Sequence, residues 1–180
     1  MTSALPISLL ALVVSVLALV FTVLSFWWLN WKPGKVVVAG PRSFAARGSK
    51  CDLVVIQLPL VLFNRGARPV VVNNLRLSLE GCGGPLGFIA VVDRLASDQG
   101  RRYATQFPVP AYQAVSLIGE FQRHGGGLEF EAGAYRAHLE AALSNKMEWR
   151  SLARFRLSVS RGSLETINRI LVAHDNWPEA

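Results

Sequence analysis

The run from Ala4 to Leu29 is 26 residues without a charged side chain, and no charge occurs before Lys32. As a helix at 1.5 Å per residue it would be about 39 Å long. A hydrocarbon core is roughly 30 Å thick, so this segment spans it with some tilt. Ser3 is placed to cap the start, and Pro6 falls in the first turn, where a missing N–H costs little. Trp27, Trp28 and Trp31 at the far end suit a headgroup interface. A cleaved signal peptide is the rival reading. It fits poorly, because there is no basic n-region, the apolar stretch is too long and Leu29-Asn30-Trp31 is no small-residue cleavage site. A retained signal anchor is expected.

Inside this run the small side chains fall on one stripe: Ala4, Ser8, Ala11, Ser15, Ala18, Thr22 and Ser25, spaced 4, 3, 4, 3, 4, 3. Small residues let two membrane helices approach closely. The pattern therefore predicts a partner helix, either a second copy of this chain or another subunit. Its average period of 3.5 residues favours a left-handed crossing.

Charge supplies a direction. Lys32, Lys35, Arg42, Arg47 and Lys50 follow the helix, with no acid until Asp52. By the positive-inside rule the C-terminal part is expected in the cytoplasm and the short N-terminus outside, at the plasma (inner) membrane. An extracytoplasmic C-terminal domain is the alternative. The same cations would attract anionic lipid headgroups. The net charge is +7, but after residue 50 the charges are mixed, 14 Lys and Arg against 12 Asp and Glu. No basic helix or aromatic-studded basic motif is present, which argues against nucleic acid.

There are two cysteines, Cys51 and Cys82. If the strands flanking the Asn64–Pro69 turn formed an unbulged hairpin, the two would face each other and a disulfide would be sterically allowed. That would favour an oxidising compartment, against the charge rule. The other reading is two unrelated small apolar residues.

From Lys35 the pattern is strand-like. Val36–Val38 opens it, and Asp52–Phe63 follows, rich in Val, Leu and Ile, with Pro59 predicting a bulge or an edge. Leu75, Leu77 and Leu79 alternate with Arg76, Ser78 and Glu80. Phe88–Val92, Arg102–Phe107 and Ala114–Gln122 are further strands. So are the stretch from Gly133 to Leu143 and that from Trp149 to Ser160. Pro108–Gln113 reads as a connection and Leu128–Glu131 as a short piece. Seven or eight short strands without a long helix between them point to an antiparallel β-sandwich.

Two stretches carry a resemblance. Leu58–Val72 is an apolar strand ending in Asn64-Arg65-Gly66, and Gly133-Ala134-Tyr135 has the Gly-x-Tyr form of a late strand. Here the chain resembles the immunoglobulin-like β-sandwich domains of bacterial single-span membrane proteins. The resemblance implies a binding or spacer role. After Arg161 the period changes. Leu164, Ile167 and Leu171 predict a short helix over Ser163–Ala173 with Ser163 as N-cap.

The search for chemistry returns little. His124, His138 and His174 have no metal-ligand spacing. His138 and Glu140 would share the solvent face of a strand beside Arg136. Gly81–Gly87 lacks the spacing of a phosphate loop, and Pro85 removes a donor. No catalytic motif is found, and no cofactor or metal is expected.

The organisation read from the sequence is therefore a transmembrane signal-anchor helix (1–31), a basic juxtamembrane segment with a first strand (32–50), a β-sandwich (51–161) and a C-terminal helix and tail (162–180). The expected function is a non-enzymatic accessory, scaffolding or interaction subunit of a membrane assembly. The alternative is a membrane-tethered ligand binder or sensor using the loops at Gly81–Gly87 and Arg123–Gly127.

Overall fold

Alternating apolar residues from distant parts of the chain share one core, and the strands that carry them join into one sheet. The structure is a computed structural model that describes residues 4–48, 53–125, 128–144 and 148–176, with side chains from residue 8 onward. Helix α1 (Ala4–Asn30) comes first, and then β1 (Val36–Val38), β2 (Ser43–Arg47), β3 (Val54–Asn64) and β4 (Val70–Leu79). They are followed by β5 (Leu86–Val92), β6 (Arg102–Tyr103), β7 (Phe107–Val109), β8 (Ala114–Arg123), β9 (Gly133–Leu143) and β10 (Trp149–Val159). A 3-10 turn (Arg161–Ser163), one turn of α2 (Leu164–Ile167) and β11 (Val172–Asp175) end the described fold.

All pairings are antiparallel, in the order β10-β9-β4-β5-β8-β3-β2-β11, with β1 added to β3, β6 to β5 and β7 to β4. β5 turns the corner. Only Leu86 and Gly87 pair with β4, whereas Gly87 to Val92 run along β8. The sheet curls around one core, to which β3 gives Ile56, Leu58, Leu60 and Leu62, β4 gives Leu75 and Leu77, and β9 and β10 give Leu139 and Leu157. Each of these is at most 1% exposed, and burying such a side chain stabilises by roughly 1.5–3 kcal/mol.

Four expectations change. The strand expected over Asp52–Phe63 is β3, described from Val54, and it is not an edge. β3 pairs with β8 from Val54 to Phe63 and with β2 and β1 on its other side. Pro59 is accommodated because β2 ends its pairing at Gln57 and β1 begins at Leu62, which leaves the interval around Pro59 free of a ladder on that side. Second, the Asn64–Pro69 turn does not close a hairpin. It carries the chain from β3 to β4, which lie in different parts of the sheet, so the hairpin on which the Cys51–Cys82 pairing was argued is not formed. Cys51 itself lies outside the described residues. Third, the Arg102–Phe107 strand divides into β6 and β7, and Pro108 and Val109 pair with β4 instead of forming a connection.

The fourth change is at the C-terminal end. The helix expected over Ser163–Ala173 is a single turn, and Ser163 makes no side-chain cap; its Oγ meets Ser160 Oγ at 2.8 Å. Val172–Asp175 instead adds as a strand to β2, with Val172 opposite Ala46 and Asp175 opposite Ser43. A free strand edge offers a row of backbone partners that one or two more helical turns would not. β2 itself had been read only as part of the basic segment.

Candidate functional site

The end of α1 meets the β domain at a built junction. Trp31 N donates to Trp27 O at 2.8 Å, which extends the last helical turn. The linker then lies directly on the Asn64–Pro69 turn. Ala67 N donates to Lys32 O and Arg65 N to Lys35 O, each at 2.9 Å. Gly66 is required by this approach, since a Cβ there would stand 2.1 Å from Pro33 O. On the other side of the turn, Tyr112 N donates to Gly66 O at 3.2 Å. The Tyr112 hydroxyl reaches back to the helix and donates to Trp28 O at 2.7 Å.

Asn64 holds this junction together. It is 0% exposed. Its Oδ1 accepts from Lys35 N at 3.1 Å and Gly66 N at 3.0 Å. Its Nδ2 donates to Arg68 O at 2.8 Å and Val109 O at 3.2 Å. One amide thus satisfies the linker, its own turn and the end of β7, as a buried polar group must be satisfied.

The expected site residues fall into separate groups. Ser8, Ala11, Ser15, Ala18 and Thr22 are exposed and Ser25 is half-buried, whereas the side chain of Ala4 lies outside the described residues. Ser15 Oγ donates to Ala11 O and Thr22 Oγ1 to Ala18 O, both at 2.8 Å, so these hydroxyls are satisfied within the helix. Trp27, Trp28 and Trp31 are exposed, and Lys32 Nζ sits 3.7 Å from the Trp28 ring centroid. Lys35 is exposed.

The five cations after the helix do not form one patch. Arg47 pairs with Val55, nine positions along β3 from Asn64, or about 30 Å at the rise of a strand. Its Nε is buried without a partner among the described residues. Lys50 lies outside the described residues. Arg65 and Arg68, which sequence order places far from the helix, are the cations the fold brings next to Lys32 and Lys35.

The glycine loops lie at the opposite end of the domain and do come together. The Arg123 guanidinium lies over Gly83 and Gly84, 3.1 Å from where a Cβ on Gly84 would stand, and its Nη1 is 3.8 Å from Cys82 Sγ.

Two polar clusters stand on the outer faces of the sheet. Glu120, 2% exposed, accepts from Gln57 Nε2 at 2.8 Å, Gln122 Nε2 at 2.6 Å and Arg101 Nε at 3.1 Å. Gln57 Oε1 accepts from Ala96 N at 2.8 Å. The cluster pins the segment between β5 and β6 onto β3 and β8. Its burial was not legible, because Glu120 reads as the polar member of an alternating strand. On β9, Glu140 meets Arg76 Nε at 2.6 Å, and this hydrogen bond holds its carboxyl below the usual range. His138 Nε2 lies 2.8 Å from Ser151 Oγ. Among the described residues no group of three His, Cys, Asp or Glu could hold a metal ion.

The arrangement defines a class: one N-terminal helix long and apolar enough to cross a membrane, followed by an antiparallel curled β domain. No family model and no curated protein matches the chain. Among solved structures it is similar to Spo0M, a sporulation control protein from Bacillus subtilis, at 13% identity and a TM-score of 0.37, over 74% of this chain and 53% of that one. The chain thus spans about half the length of Spo0M. It is also similar to a protein from Archaeoglobus fulgidus at 9% identity and a TM-score of 0.33, over 70% of this chain and 96% of that one. The likeness to both is that of a β-rich fold.

Proposed function

We propose that the chain is a non-enzymatic, single-pass membrane protein that serves as an accessory or scaffolding subunit. In this reading α1 crosses the plasma (inner) membrane and packs along its small-residue stripe against another transmembrane helix. The β domain, a sandwich-like platform of immunoglobulin-like kind, contacts a partner at the membrane surface, on the cytoplasmic side by the charge rule.

The observation that carries this reading is the contrast within the junction. Every described side chain of α1 is exposed except half-buried Ser25, so the β domain does not cover the helix. Yet the helix end is bonded to the domain through Lys32, Lys35 and Tyr112. An exposed apolar surface of this size is stable only against lipid or another protein.

The test is to replace Ala11, Ser15 and Ala18 together with Leu. The full chain in mild detergent is then followed by analytical ultracentrifugation and by co-purification with its membrane partner. Loss of the assembly, with the β domain's circular dichroism unchanged, is the expected result. An assembly of unaltered mass and composition would sink helix-mediated association.

A further inference from the structure

The segments through which the domain meets α1 carry charges of one sign. Three segments converge there: 31–35, 64–69 and 110–113. Together they hold Lys32, Lys35, Arg65 and Arg68 and no acidic residue. Lys35, Arg65 and Arg68 are exposed and Lys32 is half-buried against Trp28. None of the four has a carboxylate partner among the described residues. Elsewhere on the domain some exposed cations pair, Arg102 with Asp93 at 3.4 Å and Arg136 with Glu80 at 3.8 Å, whereas others such as Arg154 and Arg156 stand apart along a strand rather than around one point.

The Arg65 and Arg68 backbones are fixed relative to the helix. Arg65 N is bonded to Lys35 O, and Arg68 O accepts from Asn64 Nδ2. Both residues therefore sit beside the linker that follows Trp31. A collar of four unpaired cations around the exit of an apolar helix matches one partner, a bilayer surface of anionic headgroups.

We infer that Lys32, Lys35, Arg65 and Arg68 form a docking collar for an anionic membrane surface, which seats the β domain against the lipid. The inference rests on the reading that α1 spans the bilayer. It assigns to the Asn64–Pro69 turn a role that its turn chemistry does not require, since Asn64, Gly66 and Pro69 build the turn while Arg65 and Arg68 point their charge outward. Each basic side chain near an anionic leaflet strengthens association about five-fold.

The full chain reconstituted into nanodiscs tests this, with spin-labelled phosphatidylglycerol and phosphatidylcholine as probes of the lipid around it. The wild-type chain is expected to select phosphatidylglycerol several-fold. Arg65→Gln with Arg68→Gln is expected to reduce that preference at least two-fold. Arg154→Gln with Arg156→Gln, which removes two charges from β10, is expected to leave it unchanged. Absence of selection by the wild-type chain, or full selection by the Arg65/Arg68 variant, would overturn the collar. So would equal losses in the two variants, since net charge alone would then account for the effect. Failure of the wild-type chain to embed in phosphatidylcholine nanodiscs would instead overturn the spanning reading, and the collar with it.

Discussion

The helix junction at Asn64 and the sheet seam at Asn176 use the same side-chain chemistry in different surroundings. Asn64 is fully buried and makes four hydrogen bonds, to the linker, the turn and β7. Asn176 follows β11 and is half-buried. Its Oδ1 accepts from Ser158 N at 3.0 Å, and its Nδ2 donates to Arg156 O at 2.7 Å and Pro41 O at 3.0 Å. Its own N donates to Arg42 O at 2.7 Å. β10 and β11 are the two ends of the sheet order, so Asn176 ties one free edge to the other. Both amides stand in for a stretch of backbone ladder. The junction amide does so away from water, where an unmade bond carries its full cost, and the seam amide does so where water can replace it.

That contrast orders the expected effects. Asn64→Ala should destabilise most, by about 3 kcal/mol, because it strands several buried backbone groups at once. Urea unfolding of the full chain in detergent, followed by tryptophan fluorescence, measures it. A loss below about 1 kcal/mol would mean that water enters the junction and that the difference between the two regions is not one of burial. Asn176→Ala should cost less, about 1 kcal/mol, in the same measurement. Its hydrogen exchange should rise at β11 and the β10 edge, with the junction unaffected. Exchange that rises at both sites would show the two regions to be one cooperative unit.

The smallest effect is the pH response of the seam. His174 on β11 packs against Phe44, with ring centroids 5.3 Å apart, and its Nε2 is buried without a partner among the described residues. Desolvation by burial lowers its pKa from the ordinary value of 6.5. The unfolded chain therefore binds this proton first. The stability His174 contributes is present above pH 6.5 and is lost as pH falls toward its depressed value. Glu140 loses its contribution in a lower window, starting below its ordinary 4.5, since Arg76 holds its carboxyl down. His174→Phe should remove the upper phase of an acid titration of stability and leave the lower one. An upper phase that survives this substitution would assign it to another group.

Much of the fold was legible along the chain. The apolar period-2 pattern located β4, β9 and β10, and Leu75, Leu77 and Leu79 are buried while Arg76 and Ser78 are only half-buried. The misreadings share a cause. Pro59, the Asn64–Pro69 turn and Val172–Asp175 were each judged by their neighbours in sequence, whereas their structure depends on strands far away. Asn64 was read as turn chemistry, correctly as far as local hydrogen bonding goes, but two of its partners, Lys35 and Val109, lie 29 and 45 residues distant. In sequence Asn176 belongs only to the tail after the expected helix. Glu120 and Gln57 sit at polar positions of alternating strands, and only the segment folded over them buries their polar groups.

By itself the sequence determined the apolar, charge-free helix, its small-residue stripe, its tryptophan-rich end and the strand periods, because these follow from side chains a few residues apart. The tertiary structure decided the rest. It carried Arg47 away from the junction along β3, set Arg65 and Arg68 beside Lys32 and Lys35, and made a strand of Val172–Asp175. The physical reason is that strand pairing is non-local. A backbone edge takes whichever partner the curled sheet brings to it, and charge density at a surface depends on which turns share an end of the domain.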